Sequence, residues 1–201
     1  MKKQETVYRE IGCTYIEGRR KFTQLELSRS LGLSLSTVNN AVSNLEAINA
    51  VSVSLRSFEV TSLPRLLLYW ATKRKIESDV LYRTRAEEPV REIERNMPNE
   101  AAFTCYTAYK LTFNDAPADY SEVYAYATAE GTKEIIRRFR QKAGPPNLVV
   151  LKPDERLNME IAAGKLKHSS VCTAQMFVDL WNLKEWYARD FVAALEKRLG
   201  I

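Results

Sequence analysis

Between Thr23 and Val60 the apolar residues change their spacing from helical to alternating, and this change limits the folds open to the chain. Thr23 and Glu26 form a Thr-x-x-Glu capping box that opens a short helix burying Leu25, Leu27 or Leu31. Gly32 closes it, because a left-handed residue ends a helix most cheaply as glycine. Ser34 or Ser36 then caps a further helix, in which Val38, Val42 and Leu45 fall at i, i+4 and i+7 beside Ala41 and Ile48. After Asn49 the period becomes two: Val51, Val53, Leu55, then Phe58 and Val60, with Ser52, Ser54, Ser57 and Glu59 between them. That pattern reads as a β-hairpin with Arg56 at its tip. Upstream, Val7, Ile11 and Tyr15 predict a first helix over 3–16, ended by Gly18 and the basic run Arg19–Arg20–Lys21.

Three helices and a hairpin in this order read as a winged helix-turn-helix over residues 1–62, with the third helix as the reader of double-stranded DNA. The polar face of that helix carries Ser36, Thr37, Asn39, Asn40, Ser43 and Asn44. Asparagine amides match the donor and acceptor of an adenine edge, and hydroxyls bond bases or phosphates. No Lys or Arg lies between Gly32 and Leu55, so phosphate attraction falls to Arg19, Arg20, Lys21 and Arg29, and to Arg56 on the wing. Within residues 1–62 eight Lys or Arg stand against six Asp or Glu, a net +2. So small a surplus predicts modest non-specific affinity and a homodimer on a palindromic site. The alternative for such a module is protein interaction alone.

The whole chain is only moderately basic, with a net charge of +5 and a pI near 9.1, which many ordinary enzymes share. Cys13, Cys105 and Cys172 are scattered without a C-x-x-C, and His168 is the only histidine, so no metal site is expected. Buried, reduced thiols are the expectation. Met1–Lys2–Lys3 runs into Gln4–Glu5 rather than an apolar stretch, so no secretory leader is expected. The densest apolar run, Leu66 to Ala71, is far short of the ~20 residues that span a bilayer. A cytoplasmic protein without membrane contact follows as the expectation.

Leu63–Pro64 punctuates the chain, and residues 63–201 read as a second, mixed α/β domain, making the whole an α+β protein. A helix follows Pro64, and strands are predicted at 79–84, 122–128 and 147–152. Helices are predicted at 88–96, at 132–142 and from Thr173 to the end. Residues 101–113 suit a helix by their alanines and a strand by their threonines and aromatics. No phosphate-binding glycine loop or Gly-x-Ser-x-Gly is present, and His168 reads as a loop residue. Lys133, Arg137, Arg138, Arg140 and Lys142 give one helix a basic face, read as solvated. Neither catalysis nor a cofactor is expected.

Four segments, AAFTCYTAYKLTF (101–113), EVYAYA (122–127), NLVVLKPDE (147–155) and VDLWNLKEWYARDFVAALEKRL (178–199), resemble the AbiEi-type antitoxin family of type IV toxin–antitoxin systems. The resemblance implies a regulator repressing its own promoter, partnered in complete systems by a nucleotidyltransferase-like toxin. It also implies a C-terminal domain shaped like a degenerate nucleotidyltransferase. In an active enzyme of that kind a Gly-Ser turn precedes a helix, and a strand carries two alternating carboxylates for Mg²⁺. Here Tyr124 and Tyr126 occupy the carboxylate positions, and Thr104–Cys105 or Tyr106–Thr107 stand where Gly-Ser is sought. Asp115 and Asp119 lie in the preceding loop. The rival readings are a DNA-targeted nucleotidyltransferase-like enzyme and a ligand-sensing regulator with a pocket lined by Tyr124, Tyr126 and the Trp181–Trp186 region.

Overall fold

The computed structural model describes residues 2–201. The N-terminal elements are α1 (Lys3–Ile16), β1 (Lys21–Phe22), α2 (Gln24–Leu31), α3 (Leu35–Ala47), β2 (Val51–Val53) and β3 (Phe58–Val60). The local caps form, except that the Glu26 carboxylate pairs with Arg19 and only the Thr23 half of the expected capping box is made. Thr23 Oγ1 accepts from the Glu26 amide at 3.1 Å, Gly32 closes α2 at φ 63°, and Ser34, not Ser36, caps α3 by accepting from the Thr37 amide. Leu27 is the fully buried leucine of α2, whereas Leu25 is half exposed.

Sequence periodicity did not anticipate β1, since two residues are too short to carry a period. It joins β3 antiparallel and completes a sheet of order β1-β3-β2. Lys21 faces Glu59 across the pair, and Phe22 stacks on Phe58 with ring centroids 5.5 Å apart.

The second part runs α4 (Leu63–Lys73), β4 (Val80–Thr84), α5 (Val90–Arg95), β5 (Ala101–Thr104), α6 (Cys105–Phe113), β6 (Val123–Ala127) and α7 (Ala129–Arg138). It continues with β7 (Leu148–Leu151), α8 (Glu155–Ala162), α9 (Thr173–Trp181) and α10 (Ala188–Leu199). Its sheet has the order β4-β7-β6-β5, with β6 and β7 parallel and both outer pairs antiparallel. The chain is therefore a mixed α/β protein of the α+β kind. The ambiguous stretch 101–113 is both things in turn: a strand to Thr104, then a helix whose first residue, Cys105, takes φ 54°.

Three boundaries differ from expectation. The basic helix ends at Arg138, so Arg140 and Lys142 lie beyond it, and Phe139 breaks the helix at ψ 82°. The C-terminal helical region divides at 182–187 into α9 and α10. An unanticipated helix, α8, begins at Asp154, whose carboxylate accepts from the Leu157 amide at 2.8 Å. No described helix is long and apolar enough to cross a membrane.

α1 packs on α3 and also on α4 and α9, so one continuous core crosses residue 62. Gly12 permits the close approach to α9, because a Cβ there would lie 3.0 Å from Ala174 Cβ. The next residue, Cys13, is joined to Cys172 by a disulfide. This corrects the expectation of reduced thiols. The pairing escaped the sequence because the two residues are 159 apart and meet only when α9 lies along α1. Cys105 is free and buried, and burial pushes its thiol pKa well up.

A buried polar network ties the parts together. Asp179 of α9, at 0% exposure, accepts from Arg74 Nε (3.1 Å), Gln175 Nε2 (2.9 Å), Tyr126 Oη (2.8 Å) and Thr104 Oγ1 (2.8 Å). Arg74 also bonds Asp79 and donates to Tyr126 Oη at 2.9 Å, and its guanidinium lies 3.8 Å from Glu5 of α1. Glu5 in turn accepts from Trp70 Nε1 at 3.2 Å. Tyr126 is thus a structural hydrogen-bond partner rather than an exposed ring lining a pocket, and burial beside Asp179 holds its phenol protonated.

Candidate nucleic-acid interface

The buried stripe of α3 is Val38, Ala41, Val42 and Leu45, which lock it onto α1 and α2. At 100° per residue Ser36, Asn40 and Ser43 form the opposite side, while Leu35 and Asn39 lie at the edge nearer Val42; all five are exposed. Glu46 and Ala47 extend the exposed face at its C-terminal end, and Glu46 is its only acidic residue. Among the described residues none buries these side chains, so they are open to a partner.

Two of the six expected groove residues point elsewhere. Asn44 is half-buried, with its Nδ2 3.4 Å from the Tyr8 hydroxyl of α1. Burial, the first cause, pushes that phenol up to about 12, so it is a neutral partner at all ordinary pH. Thr37 is also half-buried and lies 2.8 Å from Ser34 within the cap. Asn39 remains exposed, but its Nδ2 donates to Gln24 Oε1 at 3.1 Å. Gln24, at the start of α2, was not singled out by sequence; its only signal was its place beside the Thr23 cap.

Each residue of the basic run Arg19–Arg20–Lys21 has a partner within the chain. Arg19 pairs with Glu26 at 2.5 Å, Arg20 Nη1 donates to Tyr15 Oη at 3.3 Å, and Lys21 lies 3.6 Å from Glu59. Such exposed pairs are worth ~0–1 kcal/mol and exchange readily for a phosphate. Arg29 on α2 and Arg56 on the wing are exposed. The wing tip is closed by Ser54 N donating to Ser57 O at 2.8 Å, which leaves Leu55 97% exposed beside Arg56. Arg65 of α4, another residue not anticipated, donates to the Ile48 carbonyl at 3.2 Å and so finishes the C-terminal end of α3.

Elsewhere, a cleft of about 520 Å³ opens between α1, α8 and the segment 165–173, with Arg9, Glu10, Arg156, Lys167 and His168 in its walls. His168 is exposed on a 3₁₀ turn, as its loop reading predicted, and takes φ 53°. Burial raises the Glu10 carboxyl above its ordinary value. Tyr124 is half-buried near Tyr106, Trp186 is 75% exposed and Trp181 is 43% exposed. None of these three, nor Tyr126, lines that cleft. Asp115 is paired with Arg198 at 2.7 Å, and Asp119 is exposed. On the basic helix, Arg137 and Arg138 both bond Glu134. Among the described residues no group of three or more His, Cys, Asp or Glu is placed to hold a metal ion.

Comparison with protein-family models, with curated proteins and with solved structures finds no match to this chain.

Proposed function

We propose that residues 1–62 form a winged helix-turn-helix and that the chain is a DNA-binding transcriptional regulator, acting as a homodimer and repressing its own promoter in the manner of an AbiEi-type antitoxin. The observation that carries this reading is the uncovered α3 stripe of Ser36, Asn39, Asn40 and Ser43, flanked by an exposed hairpin with Arg56 near its tip. Inserted in a major groove, α3 meets base edges with hydrogen-bonding side chains, while the hairpin reaches the neighbouring backbone or minor groove. Arg19, Arg20 and Lys21 exchange their weak internal pairs for phosphates. The remainder of the chain, with the degenerate nucleotidyltransferase likeness that the sequence suggests, serves dimerisation or a toxin partner. No paired carboxylates project from β6, so no enzymatic role is assigned to it.

The test is retention of the chain's own upstream DNA against scrambled competitor at two salt concentrations. Specific retention that survives the higher salt supports an operator-reading regulator. Absence of binding at low ionic strength refutes it and leaves a protein-interaction module. A second reading, that of a ligand-sensing regulator, is favoured by the 520 Å³ cleft, because its wall includes α1 of the DNA-reading unit. A metabolite that raises the melting temperature and changes operator affinity would support it.

A further inference from the structure

The chemistry of the α3 stripe also limits which DNA it is able to read. The commonest specific contact to guanine is a bidentate Arg or Lys on O6 and N7, and the stripe holds neither residue. Its first position is instead an apolar side chain, Leu35, 49% exposed at the N-terminal end of the helix, where a reading helix comes closest to base edges. In a major groove, thymine alone offers an apolar group, its C5-methyl, whereas guanine and cytosine there present polar atoms that Leu35 would leave without partners. Asn40, five residues further along the exposed part of the helix, carries the donor and acceptor pair that fits adenine N7 and N6.

The wing is consistent with this. Leu55 and Arg56 are adjacent and both exposed at the hairpin tip, an apolar residue next to a cation. A narrow A·T minor groove concentrates negative potential that attracts Arg, and it lacks the guanine N2 amino group that an apolar neighbour would desolvate.

We infer that the recognised half-site is A·T-rich, with the thymine methyl read by Leu35, adenine by Asn40, and a narrow minor groove by Arg56 with Leu55. This rests on the DNA-binding reading above, and the experiment separates the two. The full-length protein is used to select duplexes from a random pool, and the selected half-site is then resynthesised with deoxyuridine replacing each thymidine in turn. An A·T-rich pool is expected, with one position where loss of the methyl weakens binding about fourfold, the worth of one buried methylene. That sensitivity should vanish in Leu35→Ala and persist in Leu35→Met. A G·C-rich pool, or the same methyl sensitivity in Leu35→Ala, overturns the inference and leaves DNA binding standing. A pool that does not enrich at low salt overturns the DNA-binding reading, and the inference falls with it.

Discussion

Asp179 is the residue whose loss the fold should feel most. Its carboxylate is wholly buried and accepts four hydrogen bonds, from Arg74 just after α4, from β5 and β6, and from its own helix. Asp179→Ala removes the acceptor for the Tyr126 and Thr104 hydroxyls and takes one counter-charge from Arg74. Removing one partner of a buried pair typically costs ~3–5 kcal/mol, mostly because the other charge is stranded. Arg74 is not stranded here, since Asp79 and Glu5 remain beside it. That places the ionic part near the lower end. The orphaned hydroxyls add ~1–3 kcal/mol each where water does not reach them, so a total of ~5 kcal/mol or more is expected. Domains are stable by only ~5–15 kcal/mol, so the midpoint of urea unfolding should fall by a third or more with the slope unchanged. Asp115→Ala is the control, because its pair with Arg198 is exposed and worth at most ~1 kcal/mol. If the two variants lose similar amounts, the network is not the structural tie described here.

Three further outcomes are expected. Asn40→Ala should weaken a specific site by ~1–3 kcal/mol and random duplex hardly at all; equal losses on both would show that Asn40 does not read a base. Reducing the Cys13–Cys172 bond frees a link between residues 159 apart, for which chain entropy predicts ~5 kcal/mol as a ceiling and ~2–4 kcal/mol in practice. Urea midpoints with and without reductant measure it, and Cys13→Ser should be insensitive to reductant. Glu10 has a raised folded pKa, so its contribution is fully present below the ordinary carboxylate pKa of 4.5 and is lost as pH rises through the folded value. Glu10→Gln should therefore raise the melting temperature at pH 7 and lose that advantage near pH 4.

The N-terminal elements were legible because their signals are local: a cap, a left-handed glycine and a change of period all act within a few residues. α1, α2, α3 and the hairpin came through for that reason, and the third strand, Lys21–Phe22, did not because pairing with β3 alone creates it. In 101–113 the composition was mixed because a strand and a helix meet at Cys105, a junction that leaves no periodic trace. The same division holds for the interface. Helical spacing separated the polar from the apolar face of α3, but not the edge positions, where Thr37 turns to its cap and Asn44 to Tyr8. The partners of Arg19, Arg20 and Lys21, the Arg74–Asp179 network and the disulfide all depend on side chains that meet only after folding.

α1 has consequences for how the molecule can be dissected. One side of it supports α3; the other carries Glu5 to Trp70 and Arg74, Arg9 and Thr6 to Asp154, and Cys13 to Cys172. A fragment ending at residue 62 would keep every residue of the reading stripe yet strip α1 of half its neighbours. It would expose two charged side chains, Glu5 and Arg9, whose partners had been cut away. The proposed recognition surface is consequently not a detachable cartridge. Transplanting it to another protein requires moving α4 and α9 with it, and a chimera joined at the hairpin would inherit the sequence of the reader without its scaffold.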